Sequence, residues 1–356
     1  MTSKLRKKVV SGRVSGQFQK IVKTSWSILL LVLFAPFSTT AALGAHAYRT
    51  VSTMSPRPMA MGGAFVSVKD DLAALIWNPA AFILYQKDVS HRLSVHINPV
   101  IPAALLHKDH QNVGDFLAAL GTTLRGITYS HSWAELGLLL WEEPFYNPAA
   151  PVDGPFFDAD DILNHCIHTL GFRARLASTV SLGSTANLYR IRNERGKTVL
   201  AGGTNYGVLL KPARGLEVGL AYFDFPSSLA QLRWEMEGLK DESVNAGISF
   251  YPDGSTIVAM DLRDAAGEEK IDWNRFRFGF ERTFWECLSL RLGYFQAEPK
   301  ERDVYSFGLG LLGGNIRDWG IPHCHLSSCL ANYTLLVEEG DGDRRFWHLL
   351  YLKFCL

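Results

Sequence analysis

The sequence predicts an all-β protein, a transmembrane β-barrel of about fourteen antiparallel strands. Three observations predict it: an export leader at the N-terminus, period-two alternation through the second half, and no later apolar run fit to be a spanning helix.

The first 47 residues carry seven Lys or Arg (Lys4, Arg6, Lys7, Lys8, Arg13, Lys20, Lys23) and no acid. An apolar run from Trp26 to Phe37 follows, then small residues ending in Ala45-His46-Ala47. A basic region, an apolar region and an A-x-A site make a signal peptide over residues 1–47, cut before Tyr48. The run is too short for a spanning helix, which needs roughly 20 apolar residues, and Pro36 interrupts it. Removing the leader takes the formal charge from +1 to −6. The mature chain therefore lacks the basic stripe of a nucleic-acid binder, and nucleic acid is excluded as a partner.

After residue 50, every apolar run is broken within a few positions. Helices and closed barrels are the two structures that satisfy all backbone polar groups inside a bilayer, so a membrane-embedded mature chain must be a barrel. The alternation supports this. In "NRFRFGFER", Phe276, Phe278 and Phe280 share one face and Arg275, Arg277, Gly279 and Glu281 the other. Similar alternation recurs in "GLEVGLAYF", "SVNAGISFYP", "LSLRLGYF" and "VYSFGLGLL". The polar faces hold Gly, Ser, Asn and Arg rather than the Lys and Glu of a soluble surface, as a confined lumen would. Aromatics near strand ends (Trp133, Trp141, Tyr189, Tyr222, Tyr251, Trp273, Trp285, Tyr294) read as interfacial girdles.

Strand starts are predicted near residues 89, 120, 133, 166, 178, 200, 214, 243, 255, 274, 286, 303, 326 and 345. "KPARG", "YPDGS" and "NERGK" read as short turns on one side. Connections near residues 143–164, 225–241 and 313–325 are expected on the other. The closing "FWHLLYLKFCL" keeps its alternation but ends on Leu356 rather than an aromatic.

Ahead of the strands lies "SPRPMAMGGAFVSVKDDLAALIWNPAAFILY" (residues 55–85). Gly62-Gly63 permits a tight backbone path, Asp70-Asp71 can cap "LAALIW", and Asn78-Pro79 ends that helix. The segment Met59–Phe82 resembles the opening of PorV/PorQ-type outer-membrane proteins, a branch of the long-chain fatty acid transporter (FadL-like) superfamily. "NYGVLLKPARGLEVGLAYFD", "SVNAGISFYPDGSTIVAMDLRD" and "RFRFGFERTFWECLSLRLGYF" are similar to that group as well. The resemblance implies a monomeric barrel over residues 88–356 in the bacterial outer membrane, with residues 48–87 as a hatch in its lumen. It implies membrane lipid and the barrel-assembly machinery as partners. Two functions follow from it: passage of a hydrophobic or amphipathic small molecule, or docking of an exported protein. Gly62, Gly63, Trp77, Asn78 and Pro79 are then the hatch residues to watch, although Trp77 and Asn78 also fit plain packing and turn roles.

No catalytic constellation stands out: there is no G-x-S-x-G elbow, P-loop or H-E-x-x-H, so no enzyme activity and no cofactor are expected. Eleven His and many Ser leave room for an outer-membrane lipid hydrolase as a third reading, but nothing places a nucleophile beside a base. Arg275, Arg277 and Arg291 fall on predicted inward faces. As a cationic strip they would attract an anionic group; alternatively they pair with lumenal acids such as Glu281. "HCHLSSC" (His323–Cys329) fits no zinc module. In an oxidising compartment Cys324 and Cys329 read as a loop disulfide or unpaired thiols, with no metal.

Overall fold

The computed structural model describes residues 55–69, 71–82, 91–99, 116–117, 120–142, 166–192, 198–225, 241–266, 273–285, 287–297, 302–313, 328–340 and 343–355. The predicted leader and Cys324 lie outside these residues, as does the side chain of Cys329, so the disulfide does too.

Among the described residues fourteen strands follow one another in antiparallel hairpin order. They are β1 (His91–Ile97), β2 (Leu124–His131), β3 (Ala134–Glu142), β4 (Cys166–Ala177), β5 (Val180–Arg192), β6 (Thr198–Ala213) and β7 (Leu216–Phe225). The second seven are β8 (Asp241–Phe250), β9 (Thr256–Leu262), β10 (Phe276–Phe284), β11 (Leu288–Ala297), β12 (Arg302–Gly313), β13 (Ser328–Gly340) and β14 (Asp343–Cys355). Each predicted start lies within four residues of an observed one. The ring is completed by β1 against β14 through a short seam, His96↔Cys355 and Ile97↔Phe354. The β13–β14 pairing, by contrast, runs from Ser328↔Cys355 to Gly340↔Asp343.

The apolar side chains face out. In β10, Phe280 is 36% exposed while Arg277 is 8% and Glu281 6% exposed. In β12, Tyr305, Phe307 and Leu309 are exposed while Ser306 is buried. A soluble barrel would bury the first set and wet the second; the opposite arrangement suits an outer wall against lipid and an enclosed polar lumen. No described helix is long and apolar enough to cross a membrane.

Hairpin parity assigns the connections to two ends. The turns β2–β3, β4–β5, β6–β7, β8–β9 and β10–β11 lie at the end that also carries the start of β1 and the end of β14. Here two expectations are corrected. The 193–197 turn joins β5 to β6 and therefore lies at the opposite end from "KPARG" and "YPDGS". The 314–327 connection joins β12 to β13 and lies at the short-turn end, not with the 143–165 and 226–240 connections. Length misled in both cases, because strand order alone decides the end.

Exposed Trp133 and Trp285 sit at the short-turn end and exposed Trp273 at the other, as interfacial aromatics should. Tyr251 is a correction to the girdle. Phe250 points out, so its neighbour turns in, where the Lys69 ammonium stands 4.8 Å from the Tyr251 ring centre. Burial and then the charge of Glu217 push the Tyr251 phenol above its ordinary range.

Candidate functional site: a hatch seated in the lumen

Residues 55–69 and 71–82 fill the barrel interior. The segment is built from α1 (Pro56–Ala60), α2 (Ala74–Trp77) and a 3-10 turn (Pro79–Ala81). Proline at the start of α1 suits a position whose N–H has no helical partner. After α1, Gly62 and Gly63 take φ of +63° and +72°, which reverse the chain at little steric cost. The Asp71 side chain accepts from Ala73 N at 2.9 Å and so caps the turn leading to α2. Asn78, in extended conformation, ends α2.

Asn78 is the pivot of the hatch. Its Oδ1 accepts from Ala80 N at 3.0 Å and starts the 3-10 turn. Its Nδ2 donates to Val66 O at 2.7 Å, tying the two halves of the hatch, and to Val208 O of β6 at 3.2 Å. Pro79 packs its backbone against Gly183 of β5.

The wall meets the hatch at glycines. Gly137↔Gly171, Gly183↔Gly207, Gly219↔Gly247 and Gly279↔Gly293 are registered pairs. Between successive pairs the small inward residue falls two positions toward the short-turn end, with Ala259 taking one step on β9. Strand tilt in a closed barrel produces such a stagger, so these residues lie on one belt around the lumen. A Cβ on Gly279 would stand 2.7 Å from Met61 O, and one on Gly137 2.8 Å from the Phe82 ring. A Cβ on Gly62 would stand 2.5 Å from Tyr294 N. The two backbones therefore approach as closely as they can.

Wall side chains above and below the belt aim at hatch backbone. Asp261 of β9 accepts from Phe65 N at 2.6 Å and Val66 N at 2.8 Å through one carboxylate oxygen. Ser249 donates to Ser67 O at 3.1 Å, Asn205 to Ile76 O at 3.0 Å and Arg173 to Ala80 O at 3.3 Å. Ser306 accepts from Gly62 N and donates to Ala60 O, at 3.1 and 3.2 Å. Ion pairs also link hatch to wall: Arg57 Nε and Nη2 reach Glu281 at 2.9 and 3.0 Å, and Lys69 Nζ reaches Glu217 of β7 at 2.6 Å. Burial opposes the Arg57 charge, but Glu281 and then Asp71 outweigh it and raise its pKa.

The three arginines read as a strip all point inward, yet each has its own surroundings. Arg291 bonds Glu281 at 2.5 Å and Asn332 at 2.8 Å. Arg275 donates to Asp264 O at 3.1 Å. The Arg277 guanidinium lies over Phe295 and Trp77, at 5.2 and 5.8 Å from the ring centres. Glu281 thus joins Arg291 to Arg57, which sequence alone did not bring in, since 224 residues separate Arg57 from its partner. Asp261 was also missed; its signal is a lone acid at an inward position of a strand otherwise apolar or small.

Two buried apolar clusters lie in the lumen, the larger joining Leu139, Leu209 and Ile257 of the wall to Phe65, Leu75 and Phe82 of the hatch. The smaller belongs to another sector. Phe295, Val304, Leu336 and Leu349, on the inward faces of β11 to β14, form a buried apolar cluster closed by Met59 and edged by Trp77. A crevice beside it, lined by Ser55, Arg57, Asp71, Asn332 and Tyr351 among others, has room for roughly one water. Among the described residues no group of His, Cys, Asp or Glu has the makings of a three-ligand metal site.

No protein-family model matches the chain, and no curated protein matches it by sequence. Among solved structures it is similar to the CymD monoaromatic hydrocarbon channel (TM-score 0.44, 11% identity, covering 87% of this chain and 97% of that one). It is similar to the Ralstonia pickettii toluene transporter TbuX (TM-score 0.44, 10% identity, 88% and 97% covered). The Pseudomonas putida toluene transporter TodX also matches (TM-score 0.43, 12% identity, 88% and 98% covered).

Proposed function

We propose that the chain is an outer-membrane barrel of the FadL-like superfamily that passes a hydrophobic or amphipathic small molecule. The observation that carries this reading is an apolar sector of the lumen wall, over β11 to β14, that is covered by two hatch side chains. Phe295, Val304, Leu336 and Leu349 are held dry by Met59 and Trp77, two side chains of the hatch. A hydrophobic solute can replace those side chains with no loss of hydrogen bonds, whereas it cannot replace the backbone anchors elsewhere. In this reading Trp77 and Met59 are the gating side chains, Gly62 and Gly63 the bend that presents Met59, and Asn78-Pro79 the fixed point behind Trp77.

The test is uptake of the hydrophobic dye N-phenyl-1-naphthylamine by Gram-negative cells carrying the barrel. Dye entry is expected to exceed that of cells with an empty vector, and Trp77→Ala to raise it several-fold. Equal rates in all three would reject the reading.

The closeness of the belt favours a second reading, a PorV-like barrel that docks exported proteins and transports nothing. A hatch packed backbone to backbone suits a rigid plug. Dye entry independent of the barrel, together with a defined exported protein cross-linked through the long connections, is the result this reading requires.

A further inference from the structure

We propose that His91 and His131 form a binding site for a divalent transition-metal ion of the zinc type, on the outer face of the barrel at its short-turn end. The two residues are directly registered partners on β1 and β2. Side chains of such a pair leave the sheet on the same face with Cβ atoms about 4.5–5.5 Å apart. Here the ring centres are 4.6 Å apart. Two imidazole nitrogens, each about 2.0–2.1 Å from one zinc ion, fit that spacing.

The surroundings of each ring point the same way. His91 Nδ1 lies 2.6 Å from the Tyr129 hydroxyl. With Nδ1–H donating to that oxygen, Nε2 keeps its lone pair and the ring is oriented, the usual arrangement behind a metal-bound histidine. His131 Nδ1 is buried without a hydrogen-bond partner. A bonded metal ion would remove that deficit, and Trp133, edge-on to His131 at 5.7 Å, walls the site on one side. Imidazole ligands select zinc, copper or nickel over calcium or magnesium, and water completes the coordination. A lipid phosphate is the less favoured ligand, because it needs N–H donors, and with Nδ1–H of His91 given to the Tyr129 hydroxyl its Nε2 offers a lone pair instead.

The position gives the ion a consequence. β1 meets β14 through two registered pairs, so its hold on the barrel comes mainly from β2. A metal bridge across His91 and His131 staples that strand to its stronger neighbour.

The processed chain in detergent micelles tests this, in a parent carrying H323A, H325A, C324S and C329S so that the His323–Cys329 loop offers no donors. Isothermal titration with zinc chloride is expected to show one ion per chain. His91→Gln and His131→Gln should each weaken binding at least tenfold and Tyr129→Phe about tenfold, the lower end of the effect of losing an orienting partner. Zinc should also raise the temperature of the heat-modifiable gel transition in the parent and not in the glutamine variants, which keep the folded band without zinc. No binding by the parent, or binding unchanged in both glutamine variants, overturns the site. Stabilisation by phospholipid vesicles without zinc, lost in those same variants, also overturns it, in favour of a lipid phosphate.

Discussion

The wall from β4 to β10 and the wall from β11 to β14 hold the same hatch by different means. Across β4–β10, glycines bring the two backbones together, and Asp261, Ser249, Asn205 and Arg173 bond main-chain atoms of the hatch. Across β11–β14, two hydroxyls, Ser306 and Thr334, bond its backbone and Gly293 lets Gly62 approach closely, while Phe295, Val304, Leu336 and Leu349 meet Met59 and Trp77 through apolar side chains alone. Bonds to main-chain atoms fix position and register, and breaking one strands a buried polar group. Apolar contacts are non-directional and exchangeable. The first sector is therefore the seat of the hatch, and the second is the part that a solute would enter in the function proposed above.

The hardest blow to this contrast is a side chain in the belt. Gly183→Val on β5 sets its Cβ against the Pro79 carbonyl and Ala80 N, backbone atoms that cannot swing aside. Overpacking of this kind should cost about 3 kcal/mol and remove the folded, heat-modifiable band. Gly254→Ala, with nothing within 4 Å of the new Cβ, should leave it intact. Equal behaviour of the two variants would break the idea of a seat.

Next comes the loss of an anchor. Asp261→Ala leaves the buried N–H groups of Phe65 and Val66 without the carboxylate, a cost of about 2 kcal/mol. Denaturant unfolding measures it, and limited proteolysis should show cleavage in residues 60–70. Asp261→Asn keeps an acceptor oxygen and should restore much of the loss.

In the other sector, Val304→Ala removes two methyl-sized groups at about 0.8 kcal/mol each, hence about 1.5 kcal/mol. The sharper expectation is functional: the widened sector should speed dye entry, while Asp261→Asn should not. Faster entry in the anchor variant alone would reverse the assignment of the two sectors.

How much of this was legible in the chain follows from the range of each signal. Period-two alternation is local, so the strands and the two faces of each could be read directly, as with Phe276, Phe278 and Phe280 against Arg275 and Arg277, while the choice of the apolar face as the outer one needed the make-up of the polar face and the strand-end aromatics as well. The wall glycines could be seen on the polar face, but their role appears only when tilt and closure bring them to one height against a hatch far away in sequence. The ends of the 193–197 and 314–327 connections follow from counting strands, a rule stronger than loop length. Tyr251 follows from the parity that places Phe250 outside. The pairing of Arg57 with Glu281, and of His91 with His131, has no local signature, since topology alone makes those residues neighbours.

A group outside both sectors sets the floor for these effects. Asp253, in the exposed β8–β9 turn, accepts from Ser255 N and Ser255 Oγ, both at 2.8 Å. Those bonds, then Thr256 and the nearby Arg282, hold its carboxyl down to about 2 from an ordinary 3.8. A depressed carboxyl stabilises the fold above its unfolded value, and that contribution is lost as pH falls through the folded one, here between 3.8 and about 2. Solvent screens an exposed group, so the effect should be the smallest of the series. Asp253→Asn should flatten the acid limb of the unfolding curve in that window and leave both the proteolysis pattern of the hatch and dye entry unchanged. A change in either would mean that the turn communicates with the lumen, and that the seat extends down to the β8–β9 rim through Tyr251 and Lys69.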